Sequence, residues 1–252
     1  MFFSIILIIL IFIVFKNQKT EGIKEESKKK TAVCLSWLLI YFLLSMISCA
    51  FNINIISETS NWLFLVLFPL LLMAGFRKEN VIKTLKETGL KRFNNKTVLR
   101  ILLVCILYMG CIILVFSLSE DTPDILTIAL KMSVKFPVFF FLMVITAAFT
   151  EEFFFRGMIQ RLLMDSLKRP YTAILLTSIL FGLYHFPFAF YLWDETAGSA
   201  VDSLKTILTD QAVTGYALGL IYYKSNRNLW SSIILHAVTN AAIMALGMAL
   251  SG

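Results

Sequence analysis

The sequence is poor in the residues that usually carry chemistry. It has two histidines and four cysteines in 252 residues. No HExxH pairing occurs on any stretch, and no Ser or Cys stands with a base of its own at nucleophile spacing. Cys34, Cys49, Cys105 and Cys111 lie inside or at the ends of apolar runs, with neither metal spacing nor a secreted-domain framework. They read as small apolar packing residues. Charged residues are only 15% of the chain. No internal repeat and no low-complexity linker divides it. A single integral membrane domain over residues 1–252 is expected, with N-terminal helices in 1–130 and a core in 131–252. No basic residue precedes the first apolar run at Phe2, and no small-residue cleavage site comes before Lys16. That run reads as a retained span rather than a signal peptide.

Hydrocarbon is what the chain has in excess. Hydrophobic residues make up 58% of it, 23 of them Phe, and the mean hydropathy is +0.80. A soluble domain is nearer half apolar. Eight apolar stretches can be read, at about 2–15, 32–51, 60–76, 98–118, 134–156, 171–193, 204–223 and 229–250. The expected fold is all-α, a polytopic transmembrane bundle of about eight helices. The first stretch is short for a ~30 Å hydrocarbon layer.

Charge alternates between these stretches. Residues 16–31 hold six Lys, 77–100 eight Lys/Arg, 156–169 four and 224–228 two. The intervening segments hold only Lys131, Lys135 and Lys205, together with Glu58, Glu120, Asp121, Asp124, Asp194, Glu195 and Asp202. The positive-inside rule assigns the basic segments to the cytoplasm. The net charge of +7 therefore speaks for an anionic inner leaflet as partner, and against nucleic acid. Val81, Ile82 and Leu85 interleave with Lys83 and Lys86, which suits a short basic amphipathic helix on the inner leaflet; a solvated charged loop is the competing reading.

Few polar residues interrupt the apolar runs. Glu151 and Glu152 are adjacent, and Arg156 stands four residues after Glu152, where the two share a helix face and can pair. Glu151 points about 100° away and has no local partner. His185 follows Phe181 by four residues, just before the helix-weakening Pro187. His236 and Asn240 form one polar stripe on the last helix. Burying so many polar groups unpaired costs several kcal/mol, so they are expected to gather in one internal cluster. Depth sets one condition. At 1.5 Å per residue, His236 and Glu151 come to similar depths, but His185 joins them only if its helix projects beyond the membrane face. Gly215 and Gly219 form a small-xxx-small packing pattern.

A carboxylate facing a histidine can activate water, and a second histidine with an asparagine can stabilise an oxyanion. Glu151, His185 and His236 also match the ligand count of a catalytic zinc site. Hydrolysis by activated water, with or without metal, and a polar transport pathway both stay open on the residues alone.

Glu151-Glu-Phe-Phe-Phe-Arg156-Gly157, Phe181-Gly-Leu-Tyr-His185 and His236-Ala-Val-Thr-Asn240 resemble the EExxxR, FxxxH and HxxxN/B motifs of the CPBP family of CAAX proteases and bacteriocin-processing or immunity proteins. The resemblance covers about residues 140–245. It implies an intramembrane endopeptidase that cuts a membrane-associated peptide or protein. In it Glu151 and His185 would activate water, and His236 and Asn240 would form the oxyanion site. Glu152, Arg156 and Phe181 would shape the site or hold substrate, and zinc would be the cofactor in question. The short N-terminal half resembles bacterial members, tied to pheromone maturation or bacteriocin immunity, in the cell membrane with the site toward the cytoplasm. The competing readings are a non-catalytic membrane regulator or immunity protein that binds a partner, and a transporter. The latter usually shows paired inverted halves, which are not visible here.

Overall fold

The computed structural model describes residues 1–16, 28–53, 55–75, 81–118 and 125–250. In order, the helices are α1 (Phe2–Val14), α2 (Lys28–Ala50), α3 (58–75), α4 (Val81–Glu87), α5 (Asn95–Ser117), α6 (125–167), α7 (Pro170–Tyr191, bent at His185), α8 (200–224) and α9 (Leu229–Leu250). Each of the eight apolar stretches read from the sequence falls on one of these helices. Five, namely α2, α5, α6, α7 and α9, are long and apolar enough to cross a membrane, and α1 and α3 contain shorter apolar helices. Among the described residues there is no strand. Lys19, Lys24, Arg77, Lys78, Glu120, Asp121 and Asp124, which carried part of the charge pattern, lie outside the described residues.

The outer faces are hydrocarbon. Leu99, Ile106, Val134, Val138 and Phe141 are each at least 65% exposed. Water would penalise such a surface, and a bilayer does not. α9 is the most interior span, with 61% of its apolar window buried, against 11% for α6. α9 packs along the first half of α6, α7 along α8, and α1 fits between α5 and α8. The cysteines are free, and Cys34 packs its sulfur 3.6 Å from that of Met73.

α6 is longer than the apolar stretch 134–156 at both ends, and wide π-helical turns interrupt it at Val144–Ala148 and Phe153–Gln160. Its last part is polar but buried. Gln160, Arg161 and Asp165 are each at most 6% exposed, because each has a partner on another element or on its own helix. This extension also meets the depth condition on His185. Glu151 lies 16 residues before Leu167, and His185 15 residues after Pro170. Measured from the 168–169 turn, both stand about 22–24 Å along their helices.

Described residues from each of the four basic segments meet at one end of the bundle. Thr31 bonds Ser166 (2.9 Å), Arg161 pairs with Glu87 (3.6 Å), and Arg227 pairs with Asp165 (2.8 Å). The Asn228 amide reaches the carbonyl of Lys91 (3.2 Å). α4 is helical, as the amphipathic reading expected, but the segment after it does not lie free on a surface. Thr88 is fully buried, and the Gly89 carbonyl accepts from Leu229 N (2.9 Å) at the start of α9. Gly89 has φ +97, and a Cβ there would stand 2.2 Å from the Arg227 carbonyl oxygen, so only glycine fits.

Candidate active site

The acidic pair projects from the four-residue α-helical stretch Phe149–Glu152, set between the two π-helical segments of α6. Such bulges are frequent at functional sites. Glu152 and Arg156 pair as the spacing requires. Arg156 Nη1 lies 2.6 Å from Glu152 Oε1, and both side chains are fully buried. The guanidinium is held on two more sides. Its Nη2 donates to the Gly215 carbonyl at 2.9 Å, and it sits 4.4 Å over the Phe181 ring. The fork of the arginine supplies the two bonds at once, and its flat face accepts the ring.

His236 reaches across from α9 and joins both glutamates. Its Nδ1 is 2.9 Å from Glu152 Oε1, and its Nε2 is 3.9 Å from Glu151 Oε2. A carboxylate can only accept, so Nδ1 carries a proton and, in the neutral ring, the lone pair of Nε2 faces Glu151. Glu151 is 8% exposed and forms no hydrogen bond with the described residues. The 3.9 Å gap is too long for a direct bond and is of the kind a water can bridge.

His185 is fixed in the same manner. Its Nδ1 lies 2.8 Å from the Phe181 carbonyl oxygen, which leaves Nε2 as its free nitrogen. Phe181 stands between the histidines, with ring centroids 4.8 Å from His185 and 6.0 Å from His236. The FxxxH residues are thus one unit, in which the phenyl ring supports Arg156 and its carbonyl orients His185. No hydrogen bond or ion pair joins His185 to Glu151. Asn240 lies one turn beyond His236 and is half-buried, without a hydrogen bond to the glutamates or histidines. The structure therefore unites Glu151, Glu152, Arg156, Phe181 and His236 directly. His185 joins through Phe181, and Asn240 only by its helix face.

Zinc needs three converging protein ligands and an open position. Among the described residues, no three His, Cys, Asp or Glu side chains are grouped to hold a metal ion. Oε1 of Glu152 is taken up by Arg156 and His236, and its Oε2 is buried without a hydrogen bond. Glu151, His185 and His236 are not drawn together as one ligand group among the described residues.

Sequence reasoning missed three contributors. Gln160, four residues past Arg156, donates to the Gly219 carbonyl at 2.9 Å. It repeats the Arg156–Gly215 bond one turn along, a repeat visible in the paired four-residue spacings. Gly215 and Gly219 are packing residues, as the sequence suggested, and they also expose the carbonyls that accept these bonds. A Cβ on Gly219 would lie 2.5 Å from Gln160 Oε1 and 3.0 Å from Ile174. Gly219→Val is expected to cost about 1–3 kcal/mol by overpacking, measured as a lower unfolding midpoint in detergent. Tyr41 and Tyr184 are the other two. Their rings stack at 5.3 Å, and nothing in their spacing marks them.

Residues 133–242 match the family model described as "Rce1-like: Type II CAAX prenyl endopeptidase Rce1-like". The matched segment holds every motif residue from Glu151 to Asn240, and the family is one of proteases, in agreement with the CAAX-protease resemblance. No curated protein and no solved structure matches the chain.

Proposed function

We propose that the chain, whose residues 133–242 match a CAAX prenyl endopeptidase family model, is an intramembrane endopeptidase that hydrolyses a membrane-associated peptide or protein by water activated at Glu151. One observation carries this reading: a buried, unbonded Glu151 carboxylate 3.9 Å from the Nε2 of a histidine that a second carboxylate holds in place. An intramembrane carboxylate that accepts no hydrogen bond is costly to maintain and marks function by default.

In this mechanism water bridges Glu151 Oε2 and His236 Nε2. Glu151 takes a proton as the water oxygen attacks the peptide carbonyl carbon. When the tetrahedral intermediate collapses, the C–N bond breaks and Glu151 returns the proton to the leaving nitrogen. Glu152 and Arg156 act through His236 by fixing its ring. The resemblance implied Glu151 with His185 at the water and His236 with Asn240 at the oxyanion; in this reading His236 is set at the water instead, and Nε2 of His185 is left to face substrate. Asn240 keeps its expected role as an oxyanion donor. The gathering of the basic segments at one end supports an orientation with that end in the cytoplasm, against an anionic leaflet. Peptide maturation or bacteriocin processing in a bacterial cell membrane fits this placement.

The test compares peptides released by cells carrying wild type or Glu151→Gln at equal membrane levels, by mass spectrometry. A peptide present only with wild type is expected, and its ends give the scissile bond. Identical peptide sets, with a phenotype that still requires the protein, would favour a non-catalytic membrane regulator or immunity protein.

A further inference from the structure

Tyr184 is a buried phenol with an unfinished hydrogen bond. Tyr41 on α2 donates its hydroxyl proton to Asn61 Oδ1 at 2.7 Å. The two phenol oxygens are 3.4 Å apart. With the Tyr41 proton committed, Tyr184 must be the donor between them, at well beyond the 2.7–2.8 Å usual for O–H···O. Tyr184 is 3% exposed, and a buried tyrosine hydroxyl usually finds a close partner. Here the close partner is missing while every other side of the ring is fixed. Tyr184 stacks on Tyr41, lies edge-on to Phe155 at 5.2 Å and stands perpendicular to His185 at 4.7 Å.

Its position gives this weakly held proton a use. Tyr184 immediately precedes His185 at the bend of α7. The Phe181 ring links Tyr184 to the site, with ring centroids 6.3 Å from Tyr184 and 6.0 Å from His236. Tyr184 also lines a cavity of about 530 Å³ between α2 and α7, walled by Leu35, Leu38, Phe42, Leu180 and Leu183. Among the described lining residues it brings the one polar side-chain atom.

Resting on the endopeptidase reading, we propose that Tyr184 is a further catalytic residue: its hydroxyl leaves Tyr41 and donates to the carbonyl oxygen of the peptide bond being cut, beside Asn240. Tyr41, pinned by Asn61, is the positioning residue that holds Tyr184 turned toward the site. The site is then completed by α2 and α3, which lie outside the family-matched segment. The bond strengthens as the carbonyl oxygen gains negative charge, so it acts on turnover more than on binding.

The substrate for the test is the synthetic precursor of whichever peptide separates wild type from Glu151→Gln, in liposomes with purified protein. Tyr184→Phe keeps the ring and removes only the hydroxyl. It is expected to lower kcat about 10²-fold, the usual cost of one oxyanion donor, with KM within threefold and the unfolding midpoint unchanged. Tyr41→Phe is expected to lower kcat about tenfold, because Tyr184 loses its support and not its proton. A Tyr184→Phe enzyme with wild-type kcat, or one altered only in KM or in unfolding, overturns the assignment and leaves the endopeptidase reading intact. No peptide separating wild type from Glu151→Gln would overturn that reading, and this inference with it.

Discussion

Glu151→Gln is expected to lower the rate of peptide hydrolysis by about 10²–10⁴-fold, the span ascribed to a positioned general base, without lowering the unfolding midpoint. Glu152→Gln is expected to lose both activity and stability. The two residues are neighbours with the same side chain, and only their partners differ. Glu151 has no hydrogen bond to lose, and glutamine copies its shape. Glu152 Oε1 accepts from Arg156 at 2.6 Å and from His236 at 2.9 Å. An amide there leaves a fully buried guanidinium without its counter-charge, which costs about 3–5 kcal/mol. Cleavage of the identified precursor and thermal unfolding in detergent, measured on both variants, separate the roles. Equal stability losses would place Glu151 in the structural network rather than at the reaction.

The bundle was legible because hydrocarbon length and charge alternation are properties of single segments. All eight apolar stretches lie on helices, and the basic ends meet. The end of α6 was not legible. Gln160, Arg161 and Asp165 read as the point where the chain leaves the apolar layer. They are buried with partners at Gly219, Glu87 and Arg227. Hydropathy counts what a polar group loses on leaving water, and not the partner it finds elsewhere in the chain. The condition on His185 had the same origin, since the sequence placed the end of α6 near Arg156 and the turn stands at 168–169.

The candidate site was legible wherever residues repeat at helical spacing. Glu152 with Arg156 and Phe181 with His185 are four apart, and the structure joins both pairs. Relations between helices were not legible. Spacing cannot tell whether Glu151 meets His185 or His236, and the structure sets His236 against both glutamates. Tyr41, Asn61 and Thr88 stand singly in stretches that otherwise look generic. Their parts depend on contacts with residues 143, 123 and 69 positions away, at Tyr184, Tyr184 by way of Tyr41, and Gly157.

Arg156 is where stability and function are most tightly joined, and there they can be pulled apart. Arg156→Ala is expected to destabilise the protein by about 3–5 kcal/mol, because it strands the buried carboxylate of Glu152. Arg156→Lys is expected to recover only part of this. An ammonium can meet Glu152, but it cannot also reach the Gly215 carbonyl in the same fork or lie flat over Phe181. The informative variant is the double substitution Glu152→Leu with Arg156→Met. It removes the whole pair, so neither partner is left behind as an unpaired charge, and such replacements are often neutral for stability. It is expected to unfold near the wild-type midpoint and yet to cleave at least about 10-fold more slowly, the lower end of what losing a histidine's orienting partner costs. Nδ1 of His236 then has no carboxylate to hold it, and Nε2 is no longer kept toward Glu151. A stable double variant with full activity would show that the pair serves only the fold. A stable but slow one would show that the second glutamate works by aiming the histidine at the first.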